Sequence, residues 1–140
     1  MHPLRSARKI VLLTAIFVLG ATTLSAHERD PAGKYCGELF SAGSMSKVET
    51  HFVRNAGSGV ITGSYVFDDR GEAVEGMLAE AGDDGDGSDL TRLFIWRDKY
   101  GYGRLVLTFS PDFSEFRGKW GDGASALAPW DGKHCSATSS

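Results

Sequence analysis

The sequence lacks the patterns on which several classes of function depend. It has no excess of basic residues, with 15 Lys and Arg against 18 Asp and Glu. A general nucleic-acid-binding protein presents a basic face, so we expect no nucleic-acid partner. The sequence also contains no C-x-x-C motif and no G-x-S-x-G motif, which are patterns of thiol or metal sites and of a hydrolase nucleophile. Its 140 residues suit a single domain.

Long apolar runs are also scarce, and the clearest one stands near the N-terminus. Arg5, Arg8 and Lys9 precede the apolar residues 10–19, and small residues follow as far as Ala26. A basic stretch, a short apolar stretch and a small-residue end are typical of a secretory signal peptide. We therefore predict a signal peptide over residues 1–26.

Two alternatives to cleavage after residue 26 stay open. Cleavage after Ala21 or Ser25 is one, and an uncleaved membrane anchor is the other. A membrane span needs about 20 apolar residues, and the run over residues 10–19 is shorter. Because residues 1–26 hold three basic and no acidic side chains, residues 27–140 keep 12 basic against 18 acidic side chains. We expect this acidic part to be periplasmic or secreted, with no membrane segment after cleavage.

Cysteine is rare, and its two copies lie near the two ends of the predicted mature chain. They are Cys36 and Cys135. An even number of cysteines in an exported protein indicates a disulfide, and closing a loop of about 100 residues stabilises by up to about 4.7 kcal/mol. A metal pair or redox thiols are the alternative, but two ligands do not complete a structural zinc site. We therefore predict a structural disulfide.

The predicted mature chain has no long helical stripe of apolar residues and instead alternates with a period of two. Turn residues separate short runs rich in β-branched and aromatic side chains, as expected for strands. The predicted strands are residues 35–40, 47–54, 60–67, 73–80, 90–97, 104–110, 115–120 and 130–135. Short strands with hairpin-length links predict an all-β fold, an eight-stranded up-and-down antiparallel barrel of calycin-like form. A β-sandwich is the second choice.

The cysteines support the barrel, because its first and last strands are neighbours. Cys36 on the first strand and Cys135 on the last would then close the seam. We assign the barrel to residues 34–136, between a flexible N-terminal segment over 27–33 and a flexible tail over 137–140.

Glycine is frequent and occurs three times in the middle of a predicted strand. The patterns are Ile61-x-Gly63-x-Tyr65, Val74-x-Gly76-x-Leu78 and Phe116-x-Gly118-x-Trp120. Mid-strand glycine marks a bend, a bulge or a close approach, and in a small barrel we expect a neighbouring aromatic ring to lie over the bare backbone.

These patterns resemble a recurring extracytoplasmic bacterial β-module rich in Gly and Trp. The residues that carry the resemblance are Gly63-Ser64-Tyr65, Glu75-Gly76, Trp96, Gly101-Tyr102-Gly103, Phe116-x-Gly118-x-Trp120 and Trp130-x-Gly132. Their order is similar to the G-x-Y…F-x-G-x-W…W-x-G pattern of the module, over about residues 59–135. The resemblance implies a β-architecture and export, and it brings no catalytic residues.

No set of residues in the sequence predicts an enzyme. His51 alternates with Phe52 and is expected on the solvent side of its strand, while His134 adjoins Cys135 at the seam. Both cysteines are assigned to the disulfide, and no carboxylate pair for glycoside hydrolysis is singled out. We therefore predict a non-catalytic protein that needs no cofactor.

Two weaker hypotheses concern metal ions. Residues 81–89 read AGDDGDGSD, and Asp84 and Asp86 suit Ca²⁺, although the spacing fails the EF-hand pattern. A solvated acidic loop is the simpler interpretation. If cleavage follows residue 26, the α-amine and imidazole of His27 form a candidate Cu²⁺ site.

Aromatic side chains near one hairpin are the candidate binding residues. Trp96, Tyr100 and Tyr102 lie in or beside residues 97–103, and flat aromatic faces stack on sugars, peptides and apolar ligands. The alternative is that these tyrosines only cap the barrel. An eight-stranded barrel is filled by side chains or holds one small ligand, and the abundance of aromatic residues favours a filled interior.

The resulting prediction is an exported binding or interaction module. Its partner would be a small apolar or sugar ligand, or another protein. An inhibitor of a periplasmic hydrolase is an alternative, since Tyr35-Cys36 and Ser58-Gly59 are similar to bacterial lysozyme inhibitors. Their S-G-x-x-Y loop, however, meets Thr62 here, so the similarity is one of fold.

Overall fold

The predicted barrel is confirmed by a computed structural model, which describes residues 30–82, 90–123 and 127–136. The strands are β1 Gly33–Ser41, β2 Ser44–Arg54, β3 Ile61–Asp69, β4 Glu72–Glu80, β5 Thr91–Asp98, β6 Gly101–Phe109, β7 Glu115–Asp122 and β8 Ala128–His134. Each strand pairs with the next, and β8 pairs antiparallel with β1, so the barrel is closed. The β-sandwich alternative is therefore excluded. Among the described residues, no helix has the length and apolarity that a membrane span needs.

Each strand alternates inward and outward residues, because successive Cβ atoms point to opposite faces of a sheet. In β3, Ile61, Gly63, Tyr65 and Phe67 are buried, and the residues between them are exposed. Apolar residues of this kind from all eight strands form one core. The period of two in the sequence is therefore the period of the barrel wall.

One end of the barrel is the end at which β1, β3, β5 and β7 finish, and we call it the mouth. The turns Ala42-Gly43, Arg70-Gly71 and Lys99-Tyr100 lie there, together with the last residues of β7 and the first residues of β8. Ala42 and Gly43 have φ of 50° and 84°, and Arg70 and Gly71 have φ of 54° and 86°. Positive φ at both central residues suits the tight turns whose twist matches that of hairpin strands.

The opposite end, which we call the plugged end, is filled by aromatic rings around Tyr35. The Tyr35 hydroxyl lies 3.0 Å from both Pro31 O and Phe113 O, and Phe113 has φ of 55°. The Tyr35 ring centroid lies 5.7 Å from that of Phe52 and 5.2 Å from that of Phe116. Burial and the nearby Asp30 raise the pKa of Tyr35 to about 12.

Contacts also hold the residues that precede β1 against the plugged end. Pro31 is buried, and Arg54 donates from Nε to the Asp30 carboxylate. Residues 30–33, part of the segment assigned above to a flexible N-terminus, therefore contact the barrel. The segments 1–29 and 137–140 lie outside the described residues.

The seam of the barrel is closed as predicted. Cys36 and Cys135 form a disulfide with an S–S distance of 2.09 Å and a Cα–Cα distance of 5.0 Å. Gly37 is paired with Gly132 across the seam, and a Cβ on Gly37 would lie 1.9 Å from Asp131 O. Only glycine allows β1 and β8 to approach so closely, since any side chain would meet backbone.

Candidate functional site

The mouth encloses a cavity of about 140 Å³. An apolar cavity of about 150 Å³ is large enough to bind benzene, so this volume suits a compact ligand. Its walls carry six aromatic side chains, which are Tyr65, Phe67, Trp96, Tyr100, Trp120 and Trp130. Leu39, Ser41, Asp98 and Asp122 complete the lining. The predicted filled interior is thus correct for the plugged end and wrong for the mouth.

Strand alternation explains why these residues share the cavity. Trp96 and Asp98 stand two positions apart on β5, and Trp120 and Asp122 stand two apart on β7. Residues two apart point to the same face. Since both strands end at the mouth, each aspartate lies nearer the opening than its tryptophan.

All three tryptophans of the chain line the cavity with their indole N–H groups engaged in the wall. The bonds run from Trp96 Nε1 to Gly121 O at 3.1 Å, from Trp120 Nε1 to Phe40 O at 2.9 Å, and from Trp130 Nε1 to Thr50 Oγ1 at 3.1 Å. The rings of Trp96 and Trp120 meet edge to face at 5.5 Å. These bonds fix the ring positions and leave apolar ring surface for a ligand.

Glycines on neighbouring strands make room for two of the rings. A Cβ on Gly76 would lie 2.1 Å from Tyr65 Cζ, and one on Gly103 would lie 2.8 Å from Trp96 Nε1. Each glycine is the cross-strand partner of that aromatic residue. The expectation that rings lie over mid-strand glycine is confirmed at Gly76 and at Gly63, where a Cβ would lie 3.1 Å from Phe52 Cδ1, whereas Gly118 meets Leu107 instead.

A network of hydrogen bonds joins the aspartates and tyrosines of the rim. Tyr65 donates to Asp98 Oδ2 at 2.7 Å, and the Tyr100 N–H donates to Asp98 Oδ1 at 2.8 Å. Burial and this bond to Asp98 raise the pKa of Tyr65. Tyr100 donates its hydroxyl to Asp69, which lowers the pKa of Asp69 and raises that of Tyr100. The β5–β6 turn is thereby tied to the β3–β4 hairpin.

Two of the three predicted binding residues, Trp96 and Tyr100, lie in this cavity. Tyr102 does not line it, because it precedes the inward-facing Gly103 and so points outward. Its side chain is 68% exposed, and the Arg97 guanidinium lies 5.7 Å from its ring centroid. Tyr100 and Tyr102 were predicted to share a site because they are close in sequence. The alternation of side chains along β6 places Tyr102 on the outer face of the barrel instead.

Sequence reasoning missed the two aspartates, although the chain carries a signal for them. The pattern Trp-x-Asp occurs at Trp96-x-Asp98 and again at Trp120-x-Asp122. On two strands that run in the same direction around a barrel, this repetition places two indoles and two carboxylates at one end.

The other residues considered for chemistry lie elsewhere. The His134 ring stacks on Tyr35 with a centroid distance of 4.4 Å, and His51 lies in an outer groove with Glu49 and Arg97. Ligand atoms of Cys36, Glu49 and Cys135 come within 4.8 Å of one another, but the disulfide removes the thiolates that a metal needs. The candidate metal ligands His27, Asp84 and Asp86 lie outside the described residues.

Comparison with known proteins adds no relative to this description. No protein-family model, curated protein or solved structure matches the chain. The resemblance to a Gly- and Trp-rich β-module therefore stays a prediction, and the function has to be inferred from the chemistry of the cavity.

Proposed function

We propose that the protein is an exported, non-catalytic binding module that takes one small ligand in the aromatic cavity at the mouth. The observation that carries this proposal is the contrast within one barrel: the plugged end is packed with rings, while the mouth keeps a cavity of about 140 Å³. A void lined by apolar atoms forfeits packing contacts and costs stability. A ligand that fills the cavity would recover those contacts.

The walls of the cavity support binding because they are held in place without a ligand. The indoles are bonded to the wall, Tyr65 is bonded to Asp98, and Trp96 and Trp130 are almost fully buried. Little side-chain freedom would be lost on binding, which favours affinity. Mostly apolar walls with a few placed polar groups are typical of small-molecule sites.

The test uses the tryptophans as reporters, since all three line the cavity. In a ¹H–¹⁵N spectrum, each indole N–H gives one signal, which a Trp→Phe variant assigns. We expect a ligand from a panel of apolar compounds, monosaccharides and alkylammonium ions to shift all three signals in a saturable way. A panel that leaves all three unmoved would overturn the proposal.

A matched control distinguishes the cavity from the outer surface. Tyr102→Ala removes an exposed ring that lies outside the cavity, so the affinity should stay unchanged. Tyr100→Ala removes a ring at the rim and should weaken binding. An equal loss in both variants would place binding on the outside of the hairpin and contradict the proposal.

Export is part of the proposal and is supported by the disulfide. Structural disulfides form and persist in oxidising compartments, and the basic and apolar residues at the N-terminus are typical of a signal peptide. Intact-mass measurement of the protein from a periplasmic fraction should give a chain that starts at residue 27 with both cysteines oxidised. A full-length mass in the cytosolic fraction alone would contradict export.

A further inference from the structure

The cavity lining carries acidic groups and, among the described residues, no basic group. Asp98 and Asp122 line it, and Asp69 accepts the hydroxyl of Tyr100 at the rim. The basic side chains of the same turns are paired with acids: Lys99 Nζ lies 2.8 Å from Glu72 Oε1 and 5.1 Å from the centroid of the Tyr100 ring, and Arg70 Nε lies 3.3 Å from Asp69 Oδ1. The carboxylates of Asp98 and Asp122 therefore favour a positively charged ligand at the opening.

The side-chain donors of the aromatic lining are already used. The three indole N–H groups donate to the wall, and the hydroxyls of Tyr65 and Tyr100 donate to aspartates. A ligand that enters meets aromatic rings and carboxylates, together with Leu39 and the Ser41 hydroxyl. The face of an aromatic ring is the negative part of its quadrupole, so the rings and the carboxylates select for the same charge.

We propose that the mouth binds a quaternary ammonium group, with its methyl groups on the ring faces and its charge balanced by Asp98 and Asp122. This inference rests on the proposed function and names the ligand class of that cavity. Aromatic cages with nearby carboxylates bind such ions through cation–π attraction. A trimethylammonium head is compact and donates no hydrogen bond, which matches a cavity of about 140 Å³ in which the donors of the aromatic side chains are engaged.

The repeated Trp-x-Asp pattern supports the same ligand. It places one carboxylate nearer the opening than Trp96 on β5 and a second one nearer the opening than Trp120 on β7. A cation whose methyl groups contact the indoles would have its remaining substituent directed to the opening, between two negative charges. A carboxylate ligand in that position would be repelled.

The decisive experiment compares choline with 3,3-dimethylbutan-1-ol, which has the same shape with carbon in place of the charged nitrogen. Affinities are measured by calorimetry at one ionic strength, with the indole signals as a check on the site. We expect choline to bind about tenfold more tightly. Equal affinity, or tighter binding of the alcohol, would overturn the cation assignment and uphold a binding cavity. No shift of any indole signal by any panel compound would overturn both.

A pair of variants tests the role of the carboxylates. Asp122→Asn should weaken choline binding by about threefold to fivefold and leave the affinity for 3,3-dimethylbutan-1-ol unchanged. Glu38→Gln removes the same charge from the exposed outer face of β1 and should change neither affinity. An equal loss of choline affinity in both variants would show that net charge alone causes the effect, and it would overturn the cation site.

The same group occurs on free choline and on a lipid headgroup, and two arms separate these sources. Co-sedimentation with phosphatidylcholine vesicles that choline abolishes would assign the headgroup. Binding of choline without vesicle association would assign the free ion. Both results support the quaternary ammonium site, whereas vesicle association that choline does not reduce would contradict it.

Discussion

The two ends of this barrel use aromatic side chains in opposite ways. At the plugged end, the Tyr35 hydroxyl lies 3.0 Å from the carbonyl oxygens of Pro31 and Phe113, which stand outside the strands. At the mouth, the Tyr65 hydroxyl is held by Asp98 on the wall, and each indole is bonded to the next strand but one around the barrel. Phe52, Phe109 and Phe116 have no such polar tether and pack together at the plugged end. The position of the partner decides whether an aromatic ring closes a space or lines it.

The largest expected effect is a difference in stability between the two ends. Phe52→Ala removes a ring that is 1% exposed and contacts other rings of the plugged end, so it should lower the free energy of unfolding by about 3–5 kcal/mol. Trp120→Ala removes a half-buried ring at the mouth and should cost less, about 1–2 kcal/mol. Urea denaturation of both variants measures the comparison. A larger loss for Trp120→Ala would contradict a packed end opposite a looser one.

Removal of the disulfide should have the second-largest effect on stability. The double variant Cys36→Ser, Cys135→Ser frees the seam, and closure of a loop of 99 residues contributes about 2–4 kcal/mol. Because Cys135 follows β8 near the plugged end, the indole signals of the mouth should change little below the melting temperature. Large shifts of those signals would show that the seam also holds the cavity, and would break the separation of the two ends.

An added methyl group at Gly76 should disturb the mouth specifically. Gly76→Ala places a Cβ where the Tyr65 ring lies, which should cost about 1–3 kcal/mol and displace the Tyr65 hydroxyl from Asp98. Choline affinity should fall, as calorimetry would show. Gly57→Ala, whose Cβ meets nothing closer than 3.4 Å, serves as the control and should be nearly neutral.

The smallest expected effect is a loss of stability at alkaline pH. The pKa of Tyr35 is raised from 10.0 to about 12, and that of Tyr65 is raised as well. A raised pKa means that the unfolded chain loses its proton first, so stability is full below about pH 10 and falls as pH rises toward about 12. Urea denaturation across this range should show the decline, and Tyr35→Phe should make it shallower. A slope unchanged in Tyr35→Phe would contradict the burial of that hydroxyl.

Several parts of the fold were predictable because they depend on local order. The period of two fixed which face each strand turns inward, and the cysteines near the two chain ends fixed the seam once the strands were counted. The bounds moved by a few residues where pairing extended a strand, as at Gly33 in β1. Mid-strand glycine also indicated ring packing, which the structure shows at Gly76.

The candidate site was only half predictable, for a physical reason. Trp96 and Tyr100 were found from their place near a hairpin, but the same reasoning added Tyr102, which strand alternation turns outward. Trp120, Trp130 and the two aspartates come from strands that are distant in sequence, so no local pattern brings them together. Only the repeated Trp-x-Asp pattern indicates that Asp98 and Asp122 lie at the same end of the barrel.

The sequence by itself determined the strands, their inward faces and the disulfide. Strands and faces follow from side-chain alternation, and two cysteines in a chain predicted to be exported leave one possible pair. The tertiary structure decided that one end of the barrel is filled and the other holds a cavity. The volume left inside depends on the tilt of the strands and on where each ring finds its hydrogen-bond partner. Those partners, such as Phe40 for Trp120 and Thr50 for Trp130, become neighbours only when the barrel closes.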